Sequence, residues 1–204
     1  MPSHLIQMPK FGTSIIPDGE VPRMCGWLVP GENCTPLGYR VVRRAWQDIG
    51  IEETPEGSNL GVRIEAMTKW AGLTPPEWWC GIWVGAVFAD AGALVPSGFP
   101  ATKNWLPFLE RETYQGTPGD AILYGTKNGL PWEERLEWFP HHIGIVGRTH
   151  LGNVRMTAPR TIEGNRKWGG STSNDGQAVD YAPQGRKDIL GYIIPSLIPE
   201  IAHG

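Results

Sequence analysis

The order of its segments predicts an α+β fold for this chain of 204 residues. Segments with helical spacing of apolar residues come first, and short runs with strand-like composition follow them. Elements that are segregated in this way favour helices packed on an antiparallel sheet rather than an alternating parallel fold. The predicted helices lie at about 37–50, 60–71 and 80–91, with a short helical piece near 103–111; the predicted strands lie at about 120–124, 142–148 and 189–194, with one or two more in NVRMTAPRTIEGN.

Bulk properties exclude several classes of partner. The formal net charge is −3, and no basic excess points to nucleic acid. No run approaches the roughly 18 apolar residues of a membrane span, and the N-terminal segment MPSHLIQMPKFGTS lacks the pattern of a secretory signal. We therefore expect a protein that is cytoplasmic as made and binds neither nucleic acid nor membrane.

The chain divides into an arm and one domain. Residues 1–36 are rich in Pro and Gly without a clear period, which predicts an irregular N-terminal arm, and residues 37–204 form the domain. The second helix is expected to be capped by Ser58 or Asn59. The Gly- and Ser-rich stretch 166–186 is predicted to be a long surface loop.

Cys80 stands where a Pro-rich turn meets the third helix. That helix, in WWCGIWVGAVFADAG, is apolar nearly all round with Asp90 as its only charge, which is typical of a helix at the centre of a fold. The first turn of a helix presents free N–H groups and a positive dipole, and both favour a thiolate. A small buried hydrophobic residue is the competing interpretation of Cys80.

His142 and Glu163 are the candidates for a base and its orienting group. A cysteine nucleophile needs a base in hydrogen-bond reach and a third group that holds the base. Side chains alternate along a strand, so only one of His141 and His142 faces the thiol, and His142 adjoins the IGIV run. Glu163 would accept the second imidazole N–H, with Asn165 as its competitor or helper. A structural histidine and a solvent-facing acid are the competing interpretations.

Three cysteines leave one unpaired if a disulfide forms. Cys25 and Cys34 flank a short segment and would close a small loop on oxidation, which leaves Cys80 free. All three thiols reduced is the equally weighted alternative. Neither a metal nor a cofactor is required by the predicted site, and no finger-like spacing of His or Cys accompanies Cys25 and Cys34.

Several blocks of the sequence together resemble a known family. GIEETPEGSNLG, WWCGIWVGAVFADAG, GTPGDAILYG, HHIGIV, TIEGN and ILGYIIP resemble, in this order, the signature blocks of CHAP domains, the cysteine, histidine-dependent amidohydrolases/peptidases of the papain-like, NlpC-type superfamily. The resemblance covers about residues 38–195 and makes 37–204 a CHAP-like catalytic domain. It implies a papain-like fold in which a central Cys-bearing helix packs on the sheet.

The resemblance also implies an activity. CHAP domains cleave amide bonds, most often in bacterial peptidoglycan, as N-acetylmuramoyl-L-alanine amidases or peptide endopeptidases. By position, Cys80 matches the nucleophile, His142 the base, Glu163 the acidic group and Asn165 the amide that follows it. Without a signal peptide, such an enzyme would reach the wall as a bacteriolytic phage endolysin, a virion-associated hydrolase or an injected effector, whose immunity or tail-protein partner the sequence does not identify.

Two other functions compete with this one. The same fold would serve a cytosolic thiol deamidase or acyltransferase that acts on protein, or a non-catalytic phage structural module. Release of muropeptides distinguishes the first function from the second, and an ordinary reactivity of Cys80 would favour the third.

Tryptophan is abundant, with 10 residues, and predicts an aromatic substrate groove. Trp79, Trp132 and Trp138 are the candidate substrate contacts. Core packing is the competing interpretation for Trp78, Trp79 and Trp83. For Trp132 and Trp138, which lie in a charged loop, we expect a position on the groove or its rim.

Overall fold

A computed structural model describes residues 34–110, 113–151, 154–166, 178–182 and 188–198. Within these ranges helices precede an antiparallel sheet, which confirms the predicted α+β class. The helices are α1 (Pro36–Gln47), α2 (Val62–Trp70) and α3 (Cys80–Asp90). The strands are β1 (Ala121–Thr126), β2 (Phe139–Leu151), β3 (Val154–Arg166), β4 (Ala178–Ala182) and β5 (Ile189–Ile193).

The described strands form one five-stranded sheet in the order β4-β3-β2-β1-β5, with every neighbouring pair antiparallel. Short 3-10 helices lie in two of the connections, at Thr102–Phe108 and Trp132–Glu137, and a third follows β5 at Pro195–Leu197. The central strand β2 is paired on both sides, so a side chain on it is held by β1 and β3 together. That position matters because β2 carries His142.

The helix α1 is well specified by its sequence. Thr35 precedes it, and its side-chain oxygen accepts a hydrogen bond from the Gly38 N–H at 2.9 Å, while Pro36 occupies the first turn. The buried face of α1 carries Val41, Val42 and Ala45. These residues pack in the same core cluster as the apolar side chains of α3.

The helix α3 lies at the centre of the fold, as its uniformly apolar sequence predicts. Every residue from Cys80 to Phe88 is buried. One side of α3 packs against β2 and β3, and the other against α1 and α2. Since α3 is enclosed in this way, its first residue is fixed relative to the sheet.

Two predictions about local structure are wrong. The helix α2 begins after Gly61 without a side-chain cap, so neither Ser58 nor Asn59 caps it. Gly61, and neither Ser58 nor Asn59, stands in the capping position, and the Ser58 hydroxyl instead accepts a hydrogen bond from the Leu60 N–H at 3.1 Å. The stretch 166–186 contains the strand β4, which was missed because it lies within a Gly- and Ser-rich stretch and depends on pairing with β3.

The predicted N-terminal arm, residues 1–36, falls almost wholly outside the described residues. Cys34 is a free thiol whose Sγ donates to the Pro118 carbonyl oxygen at 3.4 Å. Its predicted partner, Cys25, lies outside the described residues. Within the described ranges, none of the helices has both the length and the apolar character needed to cross a bilayer.

Candidate active site

Cys80 is the first residue of α3 and is 7 % exposed. The polar groups that act on its sulfur are the His142 side chain and the backbone N–H groups of Gly81 and Ile143. Burial alone raises the pKa of the Cys80 thiol, but the hydrogen bond and the charge of His142 outweigh burial, and the two N–H groups assist, so that the pKa falls below its ordinary value. This surrounding favours the thiolate, which is the nucleophilic form.

His142 lies on β2 and is buried between the thiol and a carboxylate. Its Nε2 is 3.1 Å from the Glu163 Oε2, which leaves Nδ1 as the ring nitrogen for the Cys80 sulfur. Burial lowers the pKa of His142, whereas the hydrogen bonds and charges of Cys80 and Glu163 raise it, to about 9. Both shifts favour an imidazolium beside a thiolate.

Glu163 lies on β3 and is 1 % exposed. We refer to Cys80, His142 and Glu163 together as the relay. Burial raises the pKa of this carboxyl, but the hydrogen bond and charge of His142, the charge of Arg166 and the hydroxyl of Thr161 lower it to about 2. The carboxylate and the protonated imidazole therefore coexist between about pH 2 and about pH 9. A carboxylate on one ring nitrogen fixes which nitrogen faces the thiol.

His141 is directed elsewhere. Its Nε2 is 3.0 Å from Asp188 Oδ2, and its side chain is 36 % exposed, against 8 % for His142. The alternation along β2 thus separates two adjacent histidines, and the structure places His142, the predicted residue, against Cys80.

Gly144 makes room for the contact between the base and the carboxylate. It lies two residues after His142, on the same face of β2, and a Cβ at this position would stand 2.7 Å from the Glu163 Cγ. The Glu163 side chain therefore crosses β2 over a residue that has no side chain of its own.

Substituting Gly144 by alanine is expected to push Glu163 away from the imidazole. We expect the Gly144→Ala protein to fold and to lose roughly ten-fold or more in kcat, because a carboxylate out of reach no longer orients His142. Gly147→Ala is the matched control on the same strand, since its Cβ would meet the Tyr181 ring at 3.2 Å, outside the relay. Equal activity of the two variants would contradict this role of Gly144.

Trp79, which the sequence predicts to contact substrate, lies in the core instead. It is fully buried, and its indole Nε1 donates to Glu53 Oε1 at 2.8 Å, so it does not line a substrate groove. Trp83, one turn on, is also fully buried and donates to Asp48 Oδ2 at 3.0 Å. Both indoles belong to the core, and they tie the start of α3 to two buried carboxylates.

The carboxylate of Asp48 belongs to a charge network that joins α1, α2 and α3. Arg44 on α1 binds Asp48 Oδ1 and Asp90 Oδ2, each at 2.8 Å. Arg63 on α2 lies 3.6 Å from Asp48 Oδ2 and 3.3 Å from Asp90 Oδ2. Asp90, the only charge of α3, is thereby paired, and α3 is held at both ends.

The strand β3 also touches the first turn of α3. A Cβ on Gly164 would lie 2.9 Å from the Trp79 ring and from the Trp83 ring. Glycine at this position lets the strand that carries Glu163 pack directly on the helix that carries Cys80. The two elements of the relay are in contact for this reason.

Asn165 is buried beside the relay without joining it. It adopts a left-handed conformation with φ of +57°, and within the described part of the chain its side-chain Oδ1 has no hydrogen-bond partner. The contact to the imidazole comes from Glu163. The assignment of Asn165 to the site stays a prediction.

An open groove of about 740 Å³ includes residues from the start of β2 in its lining. Pro140, two residues before His142, is one of them, and its carbonyl oxygen accepts a hydrogen bond from the Thr102 hydroxyl at 3.0 Å. Most of the lining is apolar, with Lys103 as its charged member. The lining residues are Ser97, Gly98, Lys103, Asn104, Leu106, Pro107, Phe108, Leu136, Trp138, Phe139 and Pro140.

The predicted groove residues Trp132 and Trp138 form a pair. Their ring centroids are 5.3 Å apart in an edge-to-face arrangement, and the Arg135 guanidinium lies 4.0 Å from the centre of the Trp132 ring. Trp138 borders the groove but is only 2 % exposed, so most of its side chain is buried beneath the groove surface. Trp132 is half-buried, and its contact with substrate stays a prediction.

Sequence reasoning missed Tyr124, Thr161 and the anchors Glu53 and Asp48. Tyr124 pairs with His142 across β1 and β2, and its hydroxyl donates to Glu163 Oε1 at 2.9 Å. No periodicity could find these residues, because each one acts through strand register or a long-range contact. The only available signal was an acid in an otherwise loop-like block, the Glu53 of GIEETPEGSN.

Comparisons with known proteins do not assign a function to this chain. No protein family, no curated protein and no solved structure matches this chain. Among the described residues, no group of three or more His, Cys, Asp or Glu side chains is placed to hold a metal ion.

Proposed function

We propose that this chain is a thiol amidohydrolase of papain-like fold that cleaves an amide bond in bacterial peptidoglycan. The observation that carries the chemistry is the buried relay, in which His142 is hydrogen-bonded to Glu163 and acts on the Cys80 thiol so that its pKa is lowered. The resemblance to CHAP domains supports peptidoglycan as the substrate. The bond is either the N-acetylmuramoyl-L-alanine amide or a peptide bond of the stem.

The proposed reaction uses the residues in their observed order. The Cys80 thiolate attacks the amide carbonyl carbon, and the oxyanion is stabilised by backbone N–H groups at the start of α3, with that of Cys80 as the first candidate. The imidazolium of His142 gives its proton to the leaving amine, and a thioester remains. His142 then takes a proton from water, which attacks the thioester and releases the acid and the Cys80 thiolate, so that the starting imidazolium and thiolate are restored.

The groove beside Pro140 supplies a binding surface for the substrate. Leu136 and Phe139 line it while remaining 85 % and 58 % exposed. Exposed apolar side chains on a concave surface are typical of a ligand site. We therefore place part of the peptide or glycan chain along this groove, with the scissile amide at Cys80.

The double substitution Leu136→Ala/Phe139→Ala is expected to raise KM by up to about ten-fold with kcat little changed, since it removes apolar contact and no reacting group. Val62→Ala is the control, because Val62 is 88 % exposed and lies on α2, away from the groove. A double variant with an unaltered KM would place the substrate on another surface.

Digestion of purified peptidoglycan tests the proposed function. Defined muropeptide fragments, read by mass spectrometry, are expected from the wild type and not from Cys80→Ser, which keeps the size of the side chain but removes the thiolate. The mass of the new termini names the bond. No fragments from a folded wild type would refute peptidoglycan as the substrate, and modification of a protein substrate instead would establish a deamidase or acyltransferase.

A further inference from the structure

The Glu163 carboxylate has two oxygens, and only Oε2 faces His142. The other oxygen, Oε1, accepts two hydrogen bonds, from the Tyr124 hydroxyl at 2.9 Å and from the Thr161 hydroxyl at 2.6 Å. Tyr124, Thr161 and Glu163 are all at most 1 % exposed. The two donors therefore act on the carboxylate in a space closed to solvent.

Tyr124 also contacts the imidazole directly. Its ring stacks on that of His142, with centroids 5.8 Å apart and an angle of 26° between the planes. This follows from the register, in which Tyr124 on β1 is the direct partner of His142 on β2, because paired residues point to the same face of the sheet. One side chain thus restrains both the base and the group that orients it.

We propose that Tyr124 and Thr161 are positioning residues that lock the Glu163 carboxylate so that one oxygen is presented to His142. This inference rests on the proposed function, because it assigns a role within the same relay. Neither hydroxyl touches the thiol in the described contacts, and both act through Glu163.

Several charged groups around Glu163 act on its carboxylate in different directions. His142 on β2 attracts the carboxylate, and Arg166 on β3 also favours its charged form. Asp180 on β4 is the direct cross-strand partner of Glu163, and like charges opposite each other repel. Cys80 on α3 competes for the same imidazolium. Donors on Oε1 hold the carboxylate in place against these competing forces.

The test is Tyr124→Phe, which keeps the ring on His142 and removes only the donor. Ultraviolet absorbance of the Cys80 thiolate, taken as the difference from a Cys80→Ala background, is titrated against pH. We expect the thiolate to form at a higher pH than in the wild type, because a carboxylate free to turn supports the imidazolium less well. On the substrate identified by digestion, we expect kcat to fall about ten-fold, the effect of losing a hydrogen bond to a charged group, with KM unchanged.

Tyr114→Phe is the matched control. It removes the same kind of bond, a tyrosine hydroxyl donating at 2.7 Å to a buried carboxylate, that of Asp120, outside the relay. We expect a loss of thermal stability in this control and an unaltered titration of Cys80. An unmoved or downward-shifted titration in a folded Tyr124→Phe protein, or the same shift in both variants, overturns the proposal.

Thr161→Val provides a second variant if Tyr124→Phe does not fold. It removes the other donor to Oε1 and keeps the shape of the side chain, and it is expected to shift the titration in the same direction. An unmoved titration in Thr161→Val then overturns the proposal. If the wild-type Cys80 thiolate does not form below the ordinary pKa of a thiol, the relay itself is refuted. If it does form there, and neither variant shifts its titration, only the positioning role is refuted.

Discussion

Replacing His142 by asparagine is expected to lower kcat/KM by at least about 1000-fold, because the relay loses both its base and its acid in one step. His142 is the only side chain placed to protonate the leaving amine among the described contacts of Cys80. Its removal also leaves the Glu163 carboxylate buried without its counter-ion. Steady-state kinetics on the amide substrate identified by digestion, with circular dichroism to verify folding, measures the effect.

His141→Asn is the control for this substitution. The two histidines are adjacent in sequence, but His141 is paired with Asp188 and is one-third exposed. We expect His141→Asn to retain activity within about two-fold, since surface substitutions away from a site have small effects. If both variants lost activity equally, the base would not be assignable to His142.

Substituting Trp79 by alanine is expected to destabilise the fold by about 3–5 kcal/mol, the usual effect of removing a fully buried aromatic side chain. The loss has two sources. A cavity opens at the start of α3, and the buried Glu53 carboxylate loses the 2.8 Å hydrogen bond donated by the Trp79 indole N–H. Denaturant unfolding of the wild type and the variant measures the difference in the free energy of unfolding.

The neighbouring residue supplies the control. Trp78 is 69 % exposed whereas Trp79 is fully buried, so Trp78→Ala is expected to change the free energy of unfolding by at most about 0.5 kcal/mol. Comparable losses from the two substitutions would contradict the assignment of Trp79 to the core. A loss of substrate binding without a loss of stability in Trp79→Ala would restore the groove interpretation.

The sequence predicts the elements of this fold where local patterns determine them. The helix α3 is apolar on every side, and only the centre of a fold accommodates such a helix, so its position followed from composition alone. The strand β4 was missed because it lies within a Gly- and Ser-rich stretch and its formation depends on pairing with β3. The cap of α2 was misassigned because the helix begins at Val62, which puts Gly61 in the capping position.

The residues of the candidate site also differ in whether the sequence alone predicts them. That Cys80, His142 and Glu163 come together was predictable because each residue type suits the proposed chemistry and has a defined place in its own element. Tyr124 was not, because its role comes from the register between β1 and β2, which one strand alone does not encode. Trp79 was misplaced because an aromatic residue beside a nucleophile has the same sequence pattern whether it faces a groove or the core.

The most direct test of the relay is a pH titration of the Cys80 thiolate in the wild-type protein, with Cys34 as the internal reference. Burial, followed by the charge of Asp120, raises the pKa of the Cys34 thiol to about 11, whereas the pKa of Cys80 is lowered. The relay predicts that the Cys80 thiolate forms below the ordinary thiol range, and the pKa of His142, raised to about 9, sets the pH above which the imidazole no longer serves as the acid. Ionisation of Cys80 at or above the ordinary pKa of a thiol, about 8.5, would contradict the relay.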